Sequence, residues 1–414
     1  MQSEGAHVVT GYFASPWPAE DAGPARPASA SGPEPSLNAP LACTTRRTLM
    51  STMTVLGAPG DVFLLTHSVL GSNFGLPTSA RVERIDPLTL APLARSPKLP
   101  GGPMWPGGVA VHANGDLYTV YGRFAHRLNR DCRVKAAREL PLDQPHNSFV
   151  ILPDGMIVTK NLSDKALARL SVLDPETLAI VASLDCPEPS IARLSADGAM
   201  VYIVGMRTIM RCHWDGRSLA WDDWRHDYVG TTRQSYGWDV VLALGQAWFM
   251  DNGRHRYRTS MIGRGVAPTP NRLIRVSLTD ARDTEATAIS GLRGGSITNP
   301  PLIDPARRVA IGFDSANRFM RAWAIADTGA LSPLWEKPGI GCASHMILLP
   351  ETGRIVTNDY DGTEQVVVLD IMTGAEIARV RVGGMMQGVV FPSVGWNNDL
   401  YWCSMRRVAR IFGA

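Results

Sequence analysis

A buried hairpin is written between Pro145 and Lys160. A polar lead-in, Pro145-His146-Asn147-Ser148, is followed by the apolar run Phe149-Val150-Ile151-Leu152, the turn Pro153-Asp154-Gly155, and a second run that leaves through Thr159-Lys160-Asn161. The same grammar recurs down the chain, at 52–68, 109–121, 149–161, 191–204, 238–251, 300–314, 345–359 and 388–404. Intervals of about 40 to 60 residues belong to sheet repeats of four strands rather than to helical repeats. Helical periodicity is almost absent from the chain.

Most hairpins are followed by a more polar pair with its own turn. Val82-Glu83-Arg84-Ile85-Asp86-Pro87-Leu88-Thr89 is matched by Ser171-Val172-Leu173-Asp174-Pro175-Glu176-Thr177 and by Val366-Val367-Val368-Leu369-Asp370-Ile371-Met372-Thr373. Inner strands that are apolar throughout and outer strands that alternate describe a propeller blade. The expected fold is therefore all-β: a β-propeller of eight four-stranded blades, with seven as the alternative because the first and fifth copies are the loosest. Residues 1–48 stand apart. The stretch 14–40 is dense in Pro, Ala, Ser and Gly without periodicity, too poor in apolar surface to offset its ordering entropy, and reads as mostly disordered. The last copy ends after about three strands, so the segment 7–13 (His7-Val8-Val9-Thr10-Gly11-Tyr12-Phe13) is the candidate outer strand that closes the ring. One propeller domain then occupies 49–414.

Composition narrows the partners. The formal net charge of +3 comes from scattered arginines and not from a basic block, which argues against nucleic acid. No apolar run approaches the roughly 20 residues of a membrane span. The six cysteines never fall at Cys-x-x-Cys spacing and read as reduced thiols; with no secretory or twin-arginine pattern at the N-terminus, the expected location is the cytoplasm.

The paired Asp-Gly hairpin and Leu-Asp-Pro-Glu-Thr-like turn resembles the broad propeller superfamily of quinoprotein-like and lactonase-like proteins. The Trp-containing blade signature of quinone-dependent dehydrogenases is missing at regular positions, which argues against a quinone cofactor. Pro145-His146-Asn147 ahead of Leu152-Pro153-Asp154-Gly155 resembles the gluconolactonase and senescence-marker-protein family. That resemblance implies a divalent-metal role for Asn147; Ser190 stands where the pattern would place a second Asn, so only Asn147 is carried over.

Propeller geometry brings the lead-in of each innermost strand and the loop after the second strand to one axial face. His146 and His345 occupy equivalent lead-in positions in two blades and are the candidate catalytic bases, since imidazole titrates nearest neutrality. Oxygen donors on that face, Asn147, Glu188, Asp251 and Asp314, with Asp239, Asn252 and Asp359 beside them, suit a divalent metal such as calcium, magnesium, manganese or zinc. Candidate substrate-binding residues are His67, Trp105, Lys160, Tyr236, Trp238, Arg254, Arg318 and Arg406, the cations for an acidic group and the aromatics for a ring. Arg254 opens the longest insertion, 251–271, a candidate lid. No serine elbow, phosphate loop or dinucleotide fingerprint is present. The expected activity is metal-assisted hydrolysis of a lactone or ester on a small organic substrate. A histidine-dependent lyase or isomerase and a non-catalytic binding propeller are the alternatives; oligomeric state is left open.

Overall fold

The computed structural model describes residues 11–68, 78–102, 107–230, 233–253, 269–384 and 391–414. Eight antiparallel sheets follow one another along the chain, each with four consecutive strands from the axis outward; blade 1 carries a fifth strand, Leu99–Gly102, and blade 8 takes its outermost strand from the N-terminal side. The eight repeats read from the sequence are the eight inner hairpins.

Local chemistry explains the layering. The second strand of blade 6, Val309–Asp314, is buried along its whole length, because side chains on both of its faces meet a neighbouring blade. The outermost strand of blade 3, Ile180–Asp185, alternates half-buried and exposed. Between blades 3 and 4 the contact is made by Val158, Leu170, Val201, Ile203 and Cys212, all without solvent exposure. Each such aliphatic side chain contributes about 1.5–3 kcal/mol by leaving water, and a carboxylate at Val201 would break the interface. The hairpin turns follow the sequence signal. At Gly155 the backbone has φ +88°, and a Cβ there would stand 3.0 Å from the His112 ring, so glycine is required twice over.

The ring is closed by Leu41–Arg47, which pairs antiparallel with Arg407–Gly413 in continuous register from Leu41 opposite Gly413 to Arg47 opposite Arg407. This corrects the expectation for 7–13. Residues 7–10 lie outside the described residues, and Tyr12 bridges His112 in blade 2 instead of joining the C-terminal strands.

The segment 14–40, expected to be mostly disordered, is packed against the propeller. Its carbonyls at Trp17, Pro18, Pro24, Ala25 and Ala28 accept hydrogen bonds of 2.7–2.9 Å from the N–H groups of Leu56, Val111, Ala196, Leu242 and Leu348. Those donors belong to the innermost segments of blades 1, 2, 4, 5 and 7, so the segment crosses the axis. An innermost strand is a sheet edge with unpaired donors, and a proline-rich chain, short of N–H but full of carbonyls, is a suitable partner. Composition misleads here because it measures side-chain burial and overlooks this backbone demand.

Candidate functional site

Where the segment crosses the axis it makes a single 3-10 turn, Glu20–Ala22, with Asp21 in a left-handed conformation at φ 50°. The turn delivers the Asp21 carboxylate to His345, whose Nδ1 lies 2.8 and 2.9 Å from the two carboxylate oxygens. His345 itself is held by the segment leading into Ile347–Leu349, where the N–H groups of Ala343 and Ser344 donate to the Asn358 side-chain oxygen at 3.0 and 3.2 Å. Burial alone would raise the Asp21 pKa, but His345 and the Arg26 guanidinium outweigh it and bring the group down to about 2. An ionised carboxylate only accepts, so Nδ1 carries the proton and, in the neutral ring, Nε2 carries the lone pair. Nε2 is buried and has no hydrogen-bond partner among the described residues. The Phe391 ring covers the imidazole at a centroid distance of 4.0 Å.

Further charges surround this pair. Arg26 donates to Glu20 and, at 2.7 Å, to Asp21. Arg193 donates to Glu20 at 2.8 Å and to the Asn147 carbonyl at 2.6 Å, while its backbone N–H binds Asp239 at 2.7 Å. Lys160 is fully buried, and its ammonium donates to the Ser190 carbonyl at 3.3 Å; burial pushes its pKa down to about 8, with Asp239 acting against that. Glu20, Asp21 and Asp239 against Arg26, Arg193 and Lys160 leave the cluster without net charge before His345 is counted. The buried network is thus paired, as buried ions must be.

The two candidate bases stand on opposite sides of the ring. His146 stands in blade 3 and His345 in blade 7, four blades apart in a ring of eight. His146 donates through Nδ1 to the Gln144 carbonyl at 3.2 Å, and burial lowers its pKa to about 4. His67 is buried in blade 1 with its ring centroid 5.3 Å from that of Tyr121, and burial lowers it to about 4 as well. Neither touches the Asp21–His345 pair.

The expected metal ligands come from four different blades; the three acids have protein donors, while the Asn147 Oδ1 is buried with no hydrogen-bond partner among the described residues. Asn147 donates to the Ile191 carbonyl at 3.1 Å and ties blade 3 to blade 4. Glu188 accepts from the N–H groups of Arg207 and Thr208 at 2.8 and 2.9 Å. Asp251, pushed up to about 6 by burial against the pull of Arg272, takes two bonds from the Arg272 guanidinium at 2.6 and 2.9 Å. Asp314 accepts from Ser290, Ser296 and Asn317. Among the described residues no three His, Cys, Asp or Glu side chains gather into an ion-holding group. The Asn147 contact gives the gluconolactonase-like motif an inter-blade role.

Of the other candidates, Trp238 is buried in the core and stacks edgewise on Tyr236 at 5.8 Å. Arg318 binds the Tyr360 and Gly339 carbonyls at 2.7 and 2.9 Å. Arg406 is an exposed turn residue with φ 65°. Trp105, Arg254 and most of the 251–271 insertion lie outside the described residues. Of the residues named from the sequence, His345, Lys160 and Asp239 lie in this cluster; Glu20, Asp21, Arg26, Arg193 and Phe391 were not named. The available signal was an acid pair and an arginine inside a Pro/Ala/Gly stretch whose one other charged residue is Glu34.

No protein family matches the sequence, and no curated protein does. Solved structures match in shape. The quinohemoprotein alcohol dehydrogenase ADHIIG from Pseudomonas putida HK5 aligns at TM-score 0.64 and 8% identity over 97% of this chain and 80% of its own. The quinohemoprotein alcohol dehydrogenase from Comamonas testosteroni gives 0.64 and 10% over 96% and 81%. BamB from Moraxella catarrhalis gives 0.56 and 16% over 89% and 98%. These likenesses are of fold alone: the chain is an eight-bladed β-propeller with quinoprotein-like neighbours in shape.

Proposed function

We propose that the protein is an enzyme acting on a small organic molecule at the axis of the propeller, with His345 as general base and Asp21 as the group that orients it. The observation that carries this reading is the Asp21 carboxylate on Nδ1 at 2.8 Å together with a buried Nε2 that has no partner among the described residues. A carboxylate on one imidazole nitrogen fixes the tautomer and stabilises the imidazolium that forms when the other nitrogen takes a proton. The concrete reaction is hydrolysis of a lactone or ester: Nε2 removes a proton from water, the hydroxide adds to the carbonyl carbon, and the proton passes from Nε2 to the departing alkoxide oxygen. Elimination or isomerisation would use the same base. The metal-assisted version expected from the sequence is the less favoured, since among the described residues no three His, Cys, Asp or Glu side chains gather into an ion-holding group.

A second reading is favoured by the saturation of the cluster: Arg26 and Arg193 are both bound to Glu20, so the network also clasps the N-terminal segment inside a non-catalytic binding propeller. A panel of lactones and esters followed with a pH indicator separates the two. Turnover that falls by about 10²–10⁴ in His345→Gln, with melting temperature kept, fits a general base. No turnover on any member, with a lowered melting temperature in His345→Gln, leaves the clasp.

A further inference from the structure

We propose that Arg26 is the positioning residue of the Asp21–His345 pair; the inference rests on the catalytic reading just given. Arg26 is fully packed, and its guanidinium is spent on three tasks. Nε donates to the Ser195 hydroxyl at 3.0 Å and the second terminal nitrogen to the Leu194 carbonyl at 3.0 Å, both in blade 4. The first terminal nitrogen lies between Glu20 and Asp21, reaching Asp21 at 2.7 Å. Ser195 is itself fixed, because its hydroxyl donates to the Val240 carbonyl at 2.6 Å. A planar fork with fixed directions therefore links blade 4 to a carboxylate that must meet an imidazole in blade 7.

The backbone shows why an anchor is needed. Asp21, Ala22, Arg26 and Ala28 all have positive φ, at 50°, 66°, 58° and 53°. Four non-glycine residues within eight positions hold a conformation that L side chains disfavour, and such strain persists only where contacts over-determine it. Asp21 also stands beside the carboxylate of Glu20 and near that of Asp239, which lies 3.9 Å from Arg26. Without the guanidinium, like charges and backbone strain both pull Asp21 away from Nδ1.

The test reads His345 directly and needs no substrate. Full-length protein labelled with ¹⁵N-histidine is examined by long-range ¹⁵N–¹H correlation, the His345 signals being assigned by their loss in His345→Gln. The native protein is expected to show the Nδ1–H tautomer, and Arg26→Gln a mixture of tautomers at the same pH. Arg26→Lys is expected to shift part of the way, since a point charge replaces the fork. Ser195→Ala, which removes the Nε acceptor together with the hydroxyl's bond to the Val240 carbonyl, is the milder variant should Arg26→Gln not fold, and it too should introduce the second tautomer. An unmixed Nδ1–H ring in Arg26→Lys and Ser195→Ala overturns the positioning role. That result is independent of whether any ester is hydrolysed, so failure of the activity reading is recorded separately.

Discussion

The guanidinium carbon of Arg193 lies 4.4 Å from the ring centroid of Phe391, bringing blade 4 and blade 8 together across the axis. The same ring lies over His345 at a centroid distance of 4.0 Å. Phe391→Ala is expected to remove both contacts and to cost about 3–5 kcal/mol of stability, as core phenylalanine truncations do. Urea unfolding of the native protein and the variant checks it, and an unchanged stability rejects this packing role for Phe391.

Asp21 makes stability depend on acid. Its folded pKa of about 2 lies below the ordinary 3.8, so the folded state binds fewer protons between those values. Its contribution, roughly 2 kcal/mol, is complete above pH 4 and disappears as pH falls towards 2. Urea unfolding between pH 2 and 6 should show that loss in the native protein and a shallower slope in Asp21→Asn. Identical slopes would remove Asp21 as the source.

Glu364 has the opposite sign. It accepts from Trp402 Nε1 at 3.2 Å and Asn358 at 3.0 Å, its second oxygen has no partner among the described residues, and burial pushes its pKa up to about 7. The folded state therefore holds a proton that the unfolded chain has released above 4.5. Stability from this group is present below pH 4.5 and is lost as pH rises through 7, by about 3 kcal/mol. Glu364→Gln should melt higher than the native protein at pH 8 and nearly alike at pH 4.5. A lower melting temperature for the variant at pH 8 would contradict the assignment.

Ring closure through Leu41–Arg47 can be broken selectively. Successive N–H groups of a strand point to opposite sides, so of Thr44 and Thr45 one donates into the ladder with Arg407–Gly413. Proline at both positions removes that donor, worth about 1 kcal/mol, and strains the strand. A melting temperature several degrees lower is expected, against no change for Ser31→Ala on the exposed part of the crossing segment. Insensitivity to the prolines would mean that the closing pair contributes nothing.

The repeat was legible because an inner hairpin is a local object. Asp154-Gly155 sets its own turn, and Phe149 to Ile151 meets Ile157 to Thr159 within a few residues, so pattern alone locates it. His345 was legible for a similar reason, its lead-in position being fixed relative to the hairpin it precedes. Asp21 was not, because nothing near it in the chain resembles an element, and its partner is 324 residues away. The acids at Glu188, Asp251 and Asp314 looked like ligands from their axial-face positions. Their actual partners are backbone N–H groups, an arginine and neighbouring hydroxyl and amide groups, which sequence position does not distinguish from a metal.

The crossing segment lies ahead of the strand that closes the ring, and this sets a timetable. As the chain is synthesised, Asp21 and Arg26 emerge first, yet Ser195 and His345 come much later and the partner of Leu41–Arg47 comes last. The acid and the imidazole thus meet only on a chain that has reached its seventh blade, so a product cut short after the sixth would carry the carboxylate without the base. Activity, where it exists, reports that the seventh blade has been made.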